Sequence, residues 1–127
     1  MAPLVRIRGD ILKQPGIICH QCNTVTKSSK GLATAIFTTF PFSDIYKDGT
    51  VRSPGQIIMR QNICNMIAQL YPGKAVVEKN DSSYNRLQWF EMCLNKLLQI
   101  CSGQVISFPH KTGCGLAGGS WKAYQKQ

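Results

Sequence analysis

The 127-residue sequence is 43% hydrophobic and 17% charged, which fits one small globular domain and excludes a disordered, collagen-like or repetitive chain. Fifteen Lys and Arg against six Asp and Glu give a net charge of +9, a balance that favours anionic partners such as phosphates or nucleic acid. No apolar run reaches the ~18 residues of a membrane span and the opening MAPLVRIRGD holds no apolar signal core, so a cytoplasmic monomer without a membrane partner, cofactor or metal is expected.

Leu4 to Arg8 alternates apolar and charged residues, the period of a half-buried strand, and Gly9-Asp10 follows as a turn. After Pro15-Gly16 the run Ile17 to His20 reads as a second strand. From Gly31 to Phe40, Leu32, Ala35, Ile36 and Phe40 recur at helical spacing, and Pro41 stops the helix. Gln56 to Met59 and Ile63 to Leu70 predict two strands joined near Gln61-Asn62, with a helical reading left open. Asp81-Ser82-Ser83 supplies an N-cap for a long helix whose stripe is Tyr84, Leu87, Phe90, Leu94, Leu97, Leu98 and Cys101. Ser102-Gly103 ends that helix, Gln104 to Phe108 predicts a buried strand, and a Gly-rich run from His110 to Gly119 leads to Trp121. Strands alternating with helices predict an α/β domain around one sheet, without an internal boundary.

The sharpest local pattern is Gly113-Cys114-Gly115-Leu116-Ala117-Gly118, a G-x-G-x-x-G after a predicted strand. A dinucleotide fold needs a further strand and an acid about 20 positions on; the nine residues after Gly118 supply neither. What remains is the local physics, in which glycines allow close backbone approach and turn successive amides into an anion-binding nest. Ser28-Ser29-Lys30-Gly31 stands at the predicted start of a helix, where unpaired amides favour a phosphate. Two such loops after parallel strands would face each other at one end of the sheet and suit a diphosphate.

Cys19-His20-Gln21-Cys22 has C-x-x-C spacing, but no second ligand pair accompanies it, and residues 19 and 22 of a strand point to opposite faces. The six cysteines read as reduced core thiols. Cys114 with His110 has the composition of a nucleophile and base, with nothing to fix their geometry. Asp10 and Asn23 each follow a predicted strand, positions suited to turn formation and to hydrogen bonding a ligand.

Taken together, Gly9-Asp10-Ile11, Ile17 to Asn23, Gly31-Leu32-Ala33, Phe40-Pro41, Phe108-Pro109 and Gly113 to Gly119 with Trp121 make the sequence resemble the macro domain. The branch is the small bacterial, phage and viral one related to ADP-ribose 1''-phosphate processing proteins and terminal ADP-ribose glycohydrolases. The resemblance covers most of the chain and implies a three-layer α/β/α fold with a central mixed sheet and a minimal C-terminus. It implies that ADP-ribose or an ADP-ribosylated protein is the partner. Asp10, followed by Ile11, matches the acid that receives the adenine amino group, and Asn23 matches the asparagine at the distal ribose. Ser29, Lys30, Gly31, Leu32 and Ala33 match one loop around the diphosphate and distal ribose. Pro109, Thr112 and the Gly113 to Gly118 run match the other.

Departures from the family pattern bear on turnover. Lys30 stands where a small residue is usual, Ala117 where the glycohydrolases carry a catalytic aspartate, and Ser120 where relatives often carry an acid. Lys79 is the nearest counterpart of the family's catalytic lysine, in a segment that fixes no correspondence. The resemblance thus implies ADP-ribose binding and leaves open the hydrolysis of ADP-ribose 1''-phosphate or of ADP-ribosylated protein, with no catalytic residue assigned. A basic module for nucleic acid or poly(ADP-ribose), without catalysis, is the competing reading of the +9 charge. A degenerate fold kept for protein interaction is a third.

Overall fold

The computed structural model describes residues 9–101 and 103–109. The predicted strand Leu4 to Arg8 and the Gly-rich run from His110 onward lie outside the described residues. Within them the chain is mixed α/β, with strands β1 (Ile17–Cys22), β2 (Ile57–Arg60), β3 (Ile63–Ile67) and β4 (Ile106–Ser107). Two helices complete it, α1 (Leu32–Thr39) and α2 (Ser83–Ile100). The sheet order is β2-β3-β1-β4, with β1 parallel to both neighbours and β2 antiparallel to β3.

β1 and β3 are almost wholly buried, which explains why apolar residues stand on both faces of each strand. Their alternate side chains feed two cores. Ile17, Cys19, Cys64, Met66 and Ala68 pack with Phe90, Cys93, Leu94, Leu97 and Cys101 of α2 and its C-cap. Ile18, Cys22, Ile63 and Ile67 pack with Ile36 and Phe37 of α1 and with Ile45, Tyr46 and Ile58. Each helix therefore covers one face of the sheet. Fully burying side chains such as Ile36, Phe90 or Leu97 stabilises the fold by about 1.5–3 kcal/mol each.

Local chemistry explains the boundaries. α1 opens at Gly31, whose φ of 59° and ψ of −130° suit glycine, and it ends before Pro41, which starts a 3-10 turn, Pro41–Ser43. α2 is capped by Ser82, whose hydroxyl accepts from the Asn85 amide at 3.0 Å. The hairpin turn predicted at Gln61-Asn62 is present, with Gln61 at φ 51°.

Three expectations are corrected. Tyr84 and Leu98 are 69% and 46% exposed. They lie off the buried stripe of α2, which runs through Leu87, Phe90, Cys93, Leu94, Leu97 and Cys101 instead. On α1 the buried pair is Ile36 and Phe37, because the sheet face meets the middle of the helix. β4 is also shorter than the predicted Gln104 to Phe108.

Candidate functional site

Because β3, β1 and β4 are parallel, the chain leaves all three at the same edge of the sheet. β1 is followed by the helix on one face and β3 by the helix on the other. Adjacent strands that send the chain to opposite faces open a crevice at their carboxyl ends, the preferred ligand position in α/β sheets. β2 runs the other way, so the segment entering it, with Arg52, arrives at this edge too.

Asn23 directly follows β1 and is 6% exposed. Its Oδ1 accepts from the Val25 and Thr26 amides at 3.0 and 2.8 Å, which folds the chain into the connection toward α1. Its backbone amide donates to the Tyr46 hydroxyl at 3.0 Å, and its carbonyl accepts from Arg52 Nη1 at 3.0 Å. The Arg52 guanidinium lies 4.6 Å from the Tyr46 ring centroid, a cation–π contact that holds both groups against the end of β1. Burial pushes the Tyr46 hydroxyl above its ordinary pKa, so it stays protonated.

The connection from Asn23 to α1 carries Ser29, Lys30 and Gly31, followed by Leu32 and Ala33 in the first turn. The Ser29 hydroxyl meets Thr34 Oγ1 at 3.0 Å, and Lys30 and Gly31 are exposed. Gly31 provides no side-chain cap, so the first amides of α1 carry the partial positive charge of a helix N-terminus. Asp10 is exposed and its Oδ1 accepts from the Leu12 amide at 3.0 Å, capping a 3-10 turn at Ile11–Lys13. Ile11 and Leu12 pack beside Leu32 and Ala33 on the α1 core. The structure thus brings Asp10, Ile11 and the start of α1 into one neighbourhood. Pro109 follows β4, whose register sets Ser107 beside Ile18 near the start of β1. Thr112, Gly113, Cys114, Gly115, Leu116, Ala117 and Gly118 lie outside the described residues.

The connection after β3 is fastened by Asp81, expected from the sequence only as part of an N-cap, together with Arg86. Asp81 and Arg86 are fully buried, with Arg86 Nη2 2.6 Å from Asp81 Oδ2 and Nε 3.1 Å from Oδ1. Asp81 also accepts from the Leu70 and Tyr71 amides, while Arg86 donates to the carbonyls of Tyr71, Gly73 and Lys74. Burial favours the protonated acid, but the donors from Arg86, Leu70 and Tyr71 outweigh it and hold the Asp81 carboxyl below its usual range. Thr24 links this connection to the one after β1, its amide and hydroxyl both donating to the Leu70 carbonyl, at 3.1 and 2.8 Å.

His20 and Cys22 share the α1 face of β1, while Cys19 faces α2, as strand alternation requires. Cys19 and Cys22 therefore cannot share a metal ion. His20 Nε2 lies 2.5 Å from Asn65 Oδ1. The Asn65 amide is oriented by donating to the carbonyls of Ser43 and Ile58, so Oδ1 accepts and His20 Nε2 carries the proton. Burial lowers the His20 pKa to about 4 and raises the Cys22 thiol to about 12. A neutral imidazole and an un-ionised thiol with no exposure make a structural network, not a nucleophile and base. Cys19, Cys64, Cys93 and Cys101 are likewise free and buried. Among the described residues no cluster of three or more His, Cys, Asp or Glu is placed to hold a metal ion, and no helix is long and apolar enough to cross a membrane.

An open depression of about 470 Å³ lies elsewhere, beyond α1, lined by Pro41, Phe42, Asp44, Lys47 and Asp48. Its carboxylates are committed locally: Asp44 accepts from the Tyr46 and Lys47 amides, and Asp48 pairs with Arg60 at 3.7 Å. Sequence reasoning passed over Tyr46 and Arg52, whose contacts with Asn23 lie 23 and 29 residues away, and Arg86, whose carboxylate partner is five residues away but whose carbonyl partners lie 12 to 15 away. Comparison with protein-family models, curated proteins and solved structures finds no match.

Proposed function

We propose that this chain is a macro domain, of the three-layer α/β/α kind, that binds ADP-ribose or a terminal ADP-ribosyl group at the carboxyl edge of β1 and its parallel neighbours. The observation that carries the reading is the position of Asn23. It directly follows β1, the strand between β3 and β4, at the head of a connection whose Gly31 opens α1 without a side-chain cap. Asn23 spends its Oδ1 on the turn, and among the described residues its Nδ2 has no protein partner, which leaves a donor for a ribose hydroxyl. The amides of Leu32 and Ala33 suit a diphosphate oxygen, and Asp10 retains a second carboxylate oxygen for an adenine amino group. A helix on each sheet face agrees with this fold.

Hydrolysis of ADP-ribose 1''-phosphate, or release of ADP-ribose from protein, belongs to the same proposal. Either reaction needs a positioned water and donors for charge developing at the distal ribose, a role the Asn23 amide would fill. Asp10→Ala tests the assigned orientation: it is expected to weaken ADP-ribose binding about tenfold in calorimetry, the loss of one charge-assisted hydrogen bond. Unchanged affinity would sink the orientation. Phosphate release from ADP-ribose 1''-phosphate reads turnover.

A further inference from the structure

The connections after β1 and β3 carry charge beyond Lys30, the one lysine that the nucleotide reading places beside the diphosphate. Lys27 and Lys30 stand on the first and Lys74 and Lys79 on the second, all exposed. The two connections are tied together through Thr24 and Leu70. Of the two carboxylates in these segments, Asp81 is neutralised by Arg86 at 2.6 Å, so Glu78 alone opposes four lysines. Aromatic rings lie among them. Lys79 Nζ sits 5.3 Å from the Tyr71 ring centroid. Tyr84, in the first turn of α2, is 69% exposed although that turn is held against Asn80 by the Asn85 side chain at 3.0 Å. The aromatics do not interleave with Lys and Arg along the chain, yet folding sets Lys79 over the Tyr71 ring.

We infer that the surface formed by the β1–α1 and β3–α2 connections binds single-stranded nucleic acid, its lysines tracking the phosphates and Tyr84 stacking on a base. Cations beside an exposed ring on a fixed scaffold are the two components of sequence-tolerant single-strand recognition. An acidic peptide would use the charges and leave the ring idle. The buried Asp81–Arg86 pair supplies rigidity by pinning Tyr71, Gly73 and Lys74, so little order is lost on binding. The surface borders the proposed nucleotide site, shares Lys30 with it, and does not require a bound nucleotide.

The test is fluorescence anisotropy of a labelled oligouridine of about twelve nucleotides with the full chain. Neutralising four phosphates predicts a slope of about −3 for log affinity against log salt. Lys74→Glu with Lys79→Glu is expected to halve that slope and weaken binding more than tenfold. Tyr84→Ala is expected to cost about five- to tenfold, a stacking contribution at the low end of its usual range. Lys47→Glu, a single charge reversal beyond α1, serves as the control against each of Lys74→Glu and Lys79→Glu taken singly and changes little; melting temperatures confirm that each variant is folded. The inference is overturned by absent binding, by equal losses in the Lys47→Glu control, by an acidic peptide binding as tightly, or by displacement of the oligonucleotide with excess ADP-ribose.

Discussion

At the scale of single residues, His20 shows how a chemically suggestive side chain becomes a structural one. Its ring lies edge-on to Phe37 at 5.3 Å and donates to Asn65 in a fully buried setting. The unfolded chain takes up a proton at His20 near the ordinary imidazole value of 6.5, whereas the folded chain resists until about 4. Between those values the unfolded state binds more protons, so stability is level above pH 6.5 and falls as pH drops toward 4, by about 3 kcal/mol in all. Urea midpoints at pH 7.5 and 4.5 read that loss, and His20→Gln, which keeps an amide donor for Asn65, should shrink it. An identical pH slope in both proteins would contradict the burial of His20. Strand alternation alone separated Cys19 from Cys22 in the sequence. The partner of His20 was not legible there, because Asn65 lies 45 residues away and meets it only through the β1–β3 register.

Among the elements, the contacts that join strands and helices are the most sensitive points. Asp81 and Arg86 tie the β3–α2 connection to the first turns of α2 with both side chains out of water. Asp81→Ala leaves a buried guanidinium without its counter-charge, and a loss of about 3–5 kcal/mol is expected from denaturant unfolding, accompanied by faster amide exchange at Leu70 and Tyr71. A loss below about 1 kcal/mol would show that the pair is solvated. Gly16 presents a different constraint at the start of β1. At φ 77° an added Cβ would run into the Val105 carbonyl, the acceptor of the Ile17 amide. Gly16→Ala should therefore destabilise by at least about 2 kcal/mol, through left-handed strain and displaced β4 pairing; a melting temperature unchanged from the parent would refute that packing. α2 was readable because Ser82 and a five-turn apolar stripe both mark it. Phe37, and the exposure of Tyr84 and Leu98, were not, since helical spacing does not say which way the sheet turns its face.

For the whole molecule, the decisive feature is an order of strands that no local pattern encodes. β1 lies between β3 and β4, and the segment entering β2 returns Arg52 to the end of β1. Asn23, Arg52 and the connection toward α1 meet at one end of the sheet through that order, and Thr24 and Leu70 join that connection to the one after β3, which carries Lys74 and Lys79. Asn23 and Gly31 were legible singly; the neighbours they meet at the end of β1 depend on parallel pairing between segments far apart in the chain. The central claim is that this edge accepts ADP-ribose, and calorimetric titration of the full chain with ADP-ribose, beside AMP at moderate salt, tests it most directly. The account predicts saturable one-to-one binding of ADP-ribose at least about tenfold tighter than AMP, a difference of about 1.4 kcal/mol from contacts to the second phosphate and distal ribose. No saturable heat, or equal affinity for the two nucleotides, would contradict it.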